Sequence, residues 1–240
     1  MKKIFLIALG AFFFSAVSAQ DSTTTKDGIL KKAGKANDHL MLQFGYTGWS
    51  GIPDTISTKG FSRTFNAYFM MDFPFKSAKK FSAAIGVGVA YDNIYFDKTF
   101  VDIKGTTENL RFINQADTNN FKKHKVGTIY LEAPIELRFV ADPDNSDRSW
   151  KAAIGVKGGW MAKAFTRSRT LQTRAGGVIN DYTVKEMQKR YFNNTRIAAT
   201  ARVGWGHFSL FGSFQLTNLF KDGVAPEIRP YTVGLTLSGL

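Results

Sequence analysis

Cysteine is absent from the 240-residue chain, and histidine is scarce, with three residues. Without cysteine the protein has neither a disulfide framework nor a lipidated amino-terminal cysteine that could anchor it. The three histidines, His39, His124 and His207, show no metal-ligand spacing. Glycine pairs lie within alternating, strand-like stretches and open no helix, so they do not form a phosphate-binding loop. The sequence therefore predicts no metal site and no cofactor.

A long apolar run is also lacking beyond the amino terminus. Lys2 and Lys3 precede a short apolar run and a group of small residues that ends at Ala19, the pattern that a signal peptidase recognises. We therefore expect a signal peptide at 1–19, because a spanning helix would need about 20 apolar residues. Residues 20–38 contain little to bury and predict a flexible periplasmic segment. A membrane location for the remaining chain would require a β-barrel.

The remaining chain alternates between apolar and polar residues. At 129–139 every odd position is apolar, whereas the even positions include Glu132, Glu136 and Arg138. A helix would scatter these charges around its circumference, so the period of two predicts a strand. Seven further stretches show the same alternation: 40–46, 64–73, 81–92, 150–161, 196–205, 208–217 and 231–238.

The lengths of the links favour a membrane barrel over a soluble β-sandwich. The links after the second, fourth and sixth stretches are short, whereas those after the first, third and fifth are long. Outer-membrane barrels show this alternation, with tight periplasmic turns and longer outer loops. Aromatic residues also cluster at both ends of the apolar stripes, as they do at membrane interfaces. We predict that 39–240 is all-β: an eight-stranded antiparallel up-and-down transmembrane β-barrel in the cell outer membrane.

Charged residues on the polar face would point into this barrel. Eight strands leave room for side chains but not for a wide channel, and charges removed from water need partners. We therefore predict a packed, paired network of charges in the lumen. The network consists of Asp72, Glu132, Glu136, Arg138, Lys151, Lys157, Arg196 and Arg202.

The formal net charge of +13 indicates that anionic partners should be considered. In an exported protein this balance favours anionic lipid headgroups over nucleic acid. The third long link, 165–195, is rich in basic residues, and a solvated loop face would explain this as well as a binding surface. We expect contacts with outer-membrane lipid and lipopolysaccharide, and with a secretion or envelope protein partner.

His207 and Ser209 are the pair that best suggests catalysis. Residues two apart share a strand face and could act as base and nucleophile, as a similar pair does in outer-membrane lipid A deacylases. In those enzymes the pair faces lipid, whereas the alternation here places it inward or at a turn. We therefore predict no catalytic residue. A lipid-modifying barrel enzyme and a small pore are the alternatives.

The stretch at 130–139 also carries a family resemblance. Its sequence, Tyr-Leu-Glu-Ala-Pro-Ile-Glu-Leu-Arg-Phe, resembles a strand motif of the PorT-like outer-membrane β-barrel proteins of Bacteroidetes, and 231–235 resembles their last strand. PorT is similar to components linked to type IX secretion, although the motif indicates the barrel and not that task. The resemblance implies a non-enzymatic barrel that is structural or accessory to secretion and surface assembly.

Overall fold

A computed structural model describes residues 40–239, which form eleven β-strands and one short 3-10 helix at Ser146–Arg148. The strands are β1 (Leu40–Ser50), β2 (Arg63–Pro74), β3 (Phe81–Phe96), β4 (Thr99–Asp102), β5 (Arg111–Asn114), β6 (Asn120–Val140), β7 (Trp150–Gln172), β8 (Val178–Met187), β9 (Thr195–Trp205), β10 (Phe208–Gln215) and β11 (Arg229–Ser238). Within this part of the chain, no helix has the length and apolar character needed to cross a membrane. The predicted signal peptide, 1–19, and periplasmic segment, 20–38, lie outside the described residues.

Eight strands close into an antiparallel ring. Neighbours follow chain order, β1-β2-β3-β6-β7-β9-β10-β11, and β11 pairs with β1 to complete the ring. Each of these strands contains or overlaps one of the eight alternating stretches. The predicted all-β antiparallel fold is therefore confirmed.

Burial shows which face of the ring strands points inward. On β2, Phe65, Phe69 and Met71 are exposed, whereas Asn66 and Tyr68 between them are buried. Every ring strand places large apolar side chains on the outer surface. Examples from the other seven strands are Phe44, Val87, Ile135, Ile154, Ile197, Leu210 and Val233. The ring is therefore apolar outside and largely polar inside.

Two predicted links contain further strands, and the prediction also misplaced the start of β6 and the end of β7. The fourth alternating stretch began at 129 and the fifth ended at 161, but β6 begins at Asn120 and β7 continues to Gln172. The pairing shifts register where Tyr130 faces Met161 and Ile129 faces Lys163, leaving one extra β7 residue. On β7 this bulge moves the outward side chains from even to odd positions, which hides the continuation of that strand from a period-two search.

The links between ring strands divide by length between the two ends of the ring. The short-link end has links at 75–80, 141–149 and 206–207, and the long-link end has links at 51–62, 97–119, 173–194 and 216–228. The link 97–119 contains the β4–β5 sheet, and 173–194 contains β8, which pairs with β7.

An apolar cluster covers the interior at the long-link end. Trp49 packs edge-on against Phe96 and Phe220, with ring centroids 5.4 and 5.7 Å apart. Other buried members come from ring strands and from the long links, including Ile56, Val101, Ile103, Tyr130, Tyr191, Phe192 and Ile228. We call this apolar cluster, built from the long links and the adjoining ends of ring strands, the cap; the sequence did not predict it.

Candidate functional site in the ring interior

Glycines make space for the charged side chains of the interior. Gly88 of β3 and Gly159 of β7 are the register partners of Glu132 on its two neighbouring strands. A Cβ atom on Gly159 would lie 3.1 Å from the Cγ atoms of both Glu132 and Arg196. Long side chains can cross the interior at this level because the neighbouring strands contribute almost no volume.

Glu132 is the centre of a four-charge group, the Glu132 cluster, which comprises Asp92, Glu132, Lys157 and Arg196. Arg196 donates from Nε to Glu132 Oε1 at 2.5 Å and from Nη1 to Asp92 Oδ2 at 2.8 Å. Lys157 Nζ lies 3.5 Å from Glu132 Oε2, which also accepts a hydrogen bond from the Tyr68 hydroxyl. Two acids and two bases make the cluster formally neutral. This balance offsets part of the cost of burying four charges.

A second group, the Glu136 cluster, lies nearer the short-link end and comprises Asp72, Glu136, Arg138 and Arg202. Glu136 Oε2 accepts hydrogen bonds from Arg138 Nε and from Arg202 Nη2, both at 3.0 Å. Arg138 Nη1 lies 3.6 Å from Asp72 Oδ1, which also accepts from Ser82 Oγ at 2.8 Å. This cluster also contains two acids and two bases.

Seven of the eight residues proposed for the network from the sequence fall in these two clusters. The exception is Lys151, which is half-buried and forms no ion pair within residues 40–239. Asp92 is the member that sequence reasoning missed. Asp92 occupies an even, inward-facing position of the alternating stretch 81–92, and this alternation is the signal that could have identified it.

Tyr130 connects the charged interior to the apolar cap. The guanidinium carbon of Arg196 lies 3.9 Å from the centroid of the Tyr130 ring, and Tyr130 is also a member of the cap. Two voids beside Arg196 and Asp92 have volumes of about 10 Å³ each. A void of that size holds about one water molecule. Side chains therefore fill this level of the ring.

The structure does not join His207 and Ser209 as a base and a nucleophile. His207 lies in the link 206–207, where its Nδ1 is 3.0 Å from the Ser238 carbonyl oxygen and its Nε2 is 3.9 Å from Asp147 Oδ1. Ser209 Oγ is buried and has no hydrogen-bond partner among the described residues. Within the same residues, no three His, Asp or Glu side chains are grouped as metal ligands would be.

Comparisons with known proteins provide no family for the chain. No protein-family model and no curated protein matches it. The resemblance to PorT-like proteins rests on 130–139 and 231–235, and no match tests it.

Proposed function

We propose that the protein is a non-enzymatic outer-membrane β-barrel whose eight ring strands cross the membrane. The observation that supports this proposal is the apolar outer surface, which continues over all eight strands. Soluble monomers rarely expose contiguous apolar patches larger than a few hundred Å². Exposed apolar surface costs about 25 cal/mol per Å² in water, and this cost disappears when the surface faces lipid.

The filled interior favours a structural or accessory role over transport. Both charge clusters are neutral and paired, and the apolar cap covers the interior at the long-link end. A conducting lumen would need a water-filled path, whereas the two voids beside Arg196 hold about one water each. We propose that the folded long links contact other proteins of secretion or surface assembly, in line with the PorT-like resemblance.

Fractionation and proteolysis test the location and orientation. The mature protein should fractionate with the outer membrane, and the folded form should migrate faster in SDS gels before boiling than after it. Protease added to intact cells should cut the exposed turn 173–177 and spare the short link 141–149. Recovery as a soluble periplasmic protein would refute the barrel, and cleavage confined to 141–149 would reverse the orientation.

Crosslinking and chemical analysis test the role. A photoreactive residue at Val178, exposed on β8, should crosslink to a cell-envelope protein, whereas one at Lys76 in the short link 75–80 should not give the same product. Purified protein in bilayers should give no stepwise conductance, and Ser209→Ala should leave the lipid A mass spectrum unchanged. Conductance would favour a pore, and a changed acyl pattern would favour an enzyme.

A further inference from the structure

Three basic residues stand side by side on neighbouring strands at the long-link end. Lys125 of β6 is the register partner of Arg167 of β7, and Arg167 is the partner of Lys185 of β8. We call these three residues the basic row. Directly opposed side chains on antiparallel strands are close neighbours, and like charges in such positions destabilise the sheet. The row therefore has an energetic cost that a bound anion would relieve.

Among residues 40–239, acidic side chains do not provide that anion. Glu186, adjacent to Lys185, faces Thr166 in the register and so lies on the other side of the sheet. Within residues 40–239, none of the three basic side chains forms an ion pair with a carboxylate. Lys125 is instead held by neutral groups: its Nζ donates to Asn93 Oδ1 at 2.6 Å and to the Tyr91 hydroxyl at 3.3 Å.

The row lies just beyond the apolar surface of the ring. Along the outer face of β6 the apolar stripe ends at Ile129, and Lys125 follows four residues further toward the long links. Four residues of a tilted strand rise roughly 10 Å, which places Lys125 near the headgroup level above the hydrocarbon. The Phe165 ring lies beneath Lys185, whose Nζ is 4.6 Å from the ring centroid. This order of apolar, aromatic and basic groups matches that of a membrane interface.

The basic surface continues into a neighbouring cavity. The Tyr95 ring lies between Lys125 Nζ, 5.6 Å from its centroid, and the Arg63 guanidinium, 5.9 Å from it. A cavity of about 330 Å³ opens beside this ring, and Arg63, Lys122 and Lys123 are among the residues that line it. The positive surface is therefore larger than a single phosphate, as the headgroup of a phosphorylated glycolipid would require.

We propose that the basic row binds the phosphate groups of a membrane-lipid headgroup in the leaflet at the long-link end. This inference rests on the proposed function, because the row reaches headgroups only if the ring lies in the membrane. Lys and Arg form short, charge-assisted hydrogen bonds with phosphate oxygens, and Arg can use two donors at once. Phosphate binding would also remove the repulsion between Lys125, Arg167 and Lys185.

A matched pair of triple variants tests the site. Lys125→Gln/Arg167→Gln/Lys185→Gln removes the row, and Lys76→Gln/Lys79→Gln/Lys80→Gln removes the same charge from the exposed short link at the other end. Binding of bisphosphorylated lipid A to the folded protein in detergent would be measured by native mass spectrometry. We expect the row variant to bind roughly tenfold to hundredfold more weakly, from the contribution of each basic residue near an anionic surface. The control should bind as the unmodified protein does.

Three outcomes would overturn the inference. Equal weakening in both variants would mean that net charge alone attracts the lipid. Equal binding of lipid A without phosphate would mean that phosphate is not recognised. Full competition by inorganic phosphate at the concentration of the lipid would assign the site to free phosphate. A protein that fractionates with the outer membrane yet gives any of these results would refute this inference and leave the proposed location intact.

Discussion

Glu132 and Arg196 meet at 2.5 Å inside the ring, although β7 lies between their strands and 64 residues separate them in the chain. The two side chains approach across Gly159 of β7, which has no side chain to obstruct them. The contact therefore depends on an ion pair and on a glycine at the same level. These two requirements can be tested separately.

Glu132→Gln should destabilise the folded ring. The substitution leaves Arg196 and Lys157 buried without the carboxylate that they share, and breaking a buried pair typically costs about 3 to 5 kcal/mol. We expect the folded band in SDS gels to disappear at a lower temperature. Glu108→Gln, at an exposed position of the link 97–119, should leave that temperature unchanged. Equal melting of the two variants would show that Glu132 is not a structural partner.

Gly159→Ala should also destabilise the ring, by about 1 to 3 kcal/mol, because the added methyl group would crowd a filled interior. Its Cβ would lie 3.1 Å from the Cγ atoms of Glu132 and Arg196. The neighbouring Gly158 provides the control, because a Cβ atom there would have no atom within 4 Å. Urea titration of the refolded variants would measure both effects. A larger loss in Gly158→Ala would contradict the assignment of Gly159 to the interior.

The ring strands were predictable because their two faces differ in polarity at every second residue. The stretch 129–139 shows this most clearly, since Glu132, Glu136 and Arg138 are buried whereas the odd-numbered apolar residues between them are exposed. The odd or even position of a residue then tells whether its side chain lies inside or outside the ring. It does not tell which residue that side chain contacts. Asp92 on β3 reaches Arg196 on β9 across two strands, and that contact exists only once the ring has closed.

The sequence could not predict the cap or β8, and the physical reason differs for each. Residues 178–187 are mostly exposed on both faces, with only Val184 and Glu186 half-buried, so the strand β8 has no apolar stripe to identify it. The cap is assembled from distant pieces of the chain, which contribute residues such as Trp49, Val101 and Phe220. No periodicity connects such residues, because their proximity follows from how the links fold back over the ring.

Acid should loosen the cap through His124. His124 Nε2 accepts a hydrogen bond from the Val101 N–H at 3.1 Å, and its Nδ1 contacts Ser168 Oγ at 2.8 Å. Burial lowers the pKa of His124 to about 4, below the ordinary value of 6.5. The neutral ring therefore contributes stability that is complete above pH 6.5 and is lost as the pH falls toward 4. At pH 5 the loss is about 2 kcal/mol.

Limited proteolysis of the link 97–119 measures this effect. Cleavage should be faster at pH 5 than at pH 7 in the unmodified protein. His124→Gln keeps a group that can accept from Val101 but does not titrate, so the ratio of the two rates should fall. Asp97 and Asp102 remain in both proteins, so a difference between them reports on His124. An unchanged ratio would exclude His124 as the source of the acid sensitivity.

Exposed apolar positions should tolerate an arginine only where they lie beyond the part of the ring that is proposed to cross the membrane. Val87 on β3 and Val178 on β8 are almost equally exposed, at 64% and 62%, but Val87 lies within the ring and Val178 beyond it. An arginine near the middle of a bilayer costs a transmembrane barrel about 2 to 4 kcal/mol. Val87→Arg should therefore reduce folding into lipid vesicles, whereas Val178→Arg should fold as the unmodified protein does.

The fraction of protein in the fast-migrating gel band, followed across a urea series, measures folding of the two arginine variants. Exposure to solvent alone cannot separate them, because the two valines are matched in type and in exposed fraction. The two valines differ in whether the proposed membrane surrounds them. Equal folding of Val87→Arg and Val178→Arg would therefore mean that the outer face of β3 does not contact hydrocarbon, and the transmembrane assignment of the ring would be wrong.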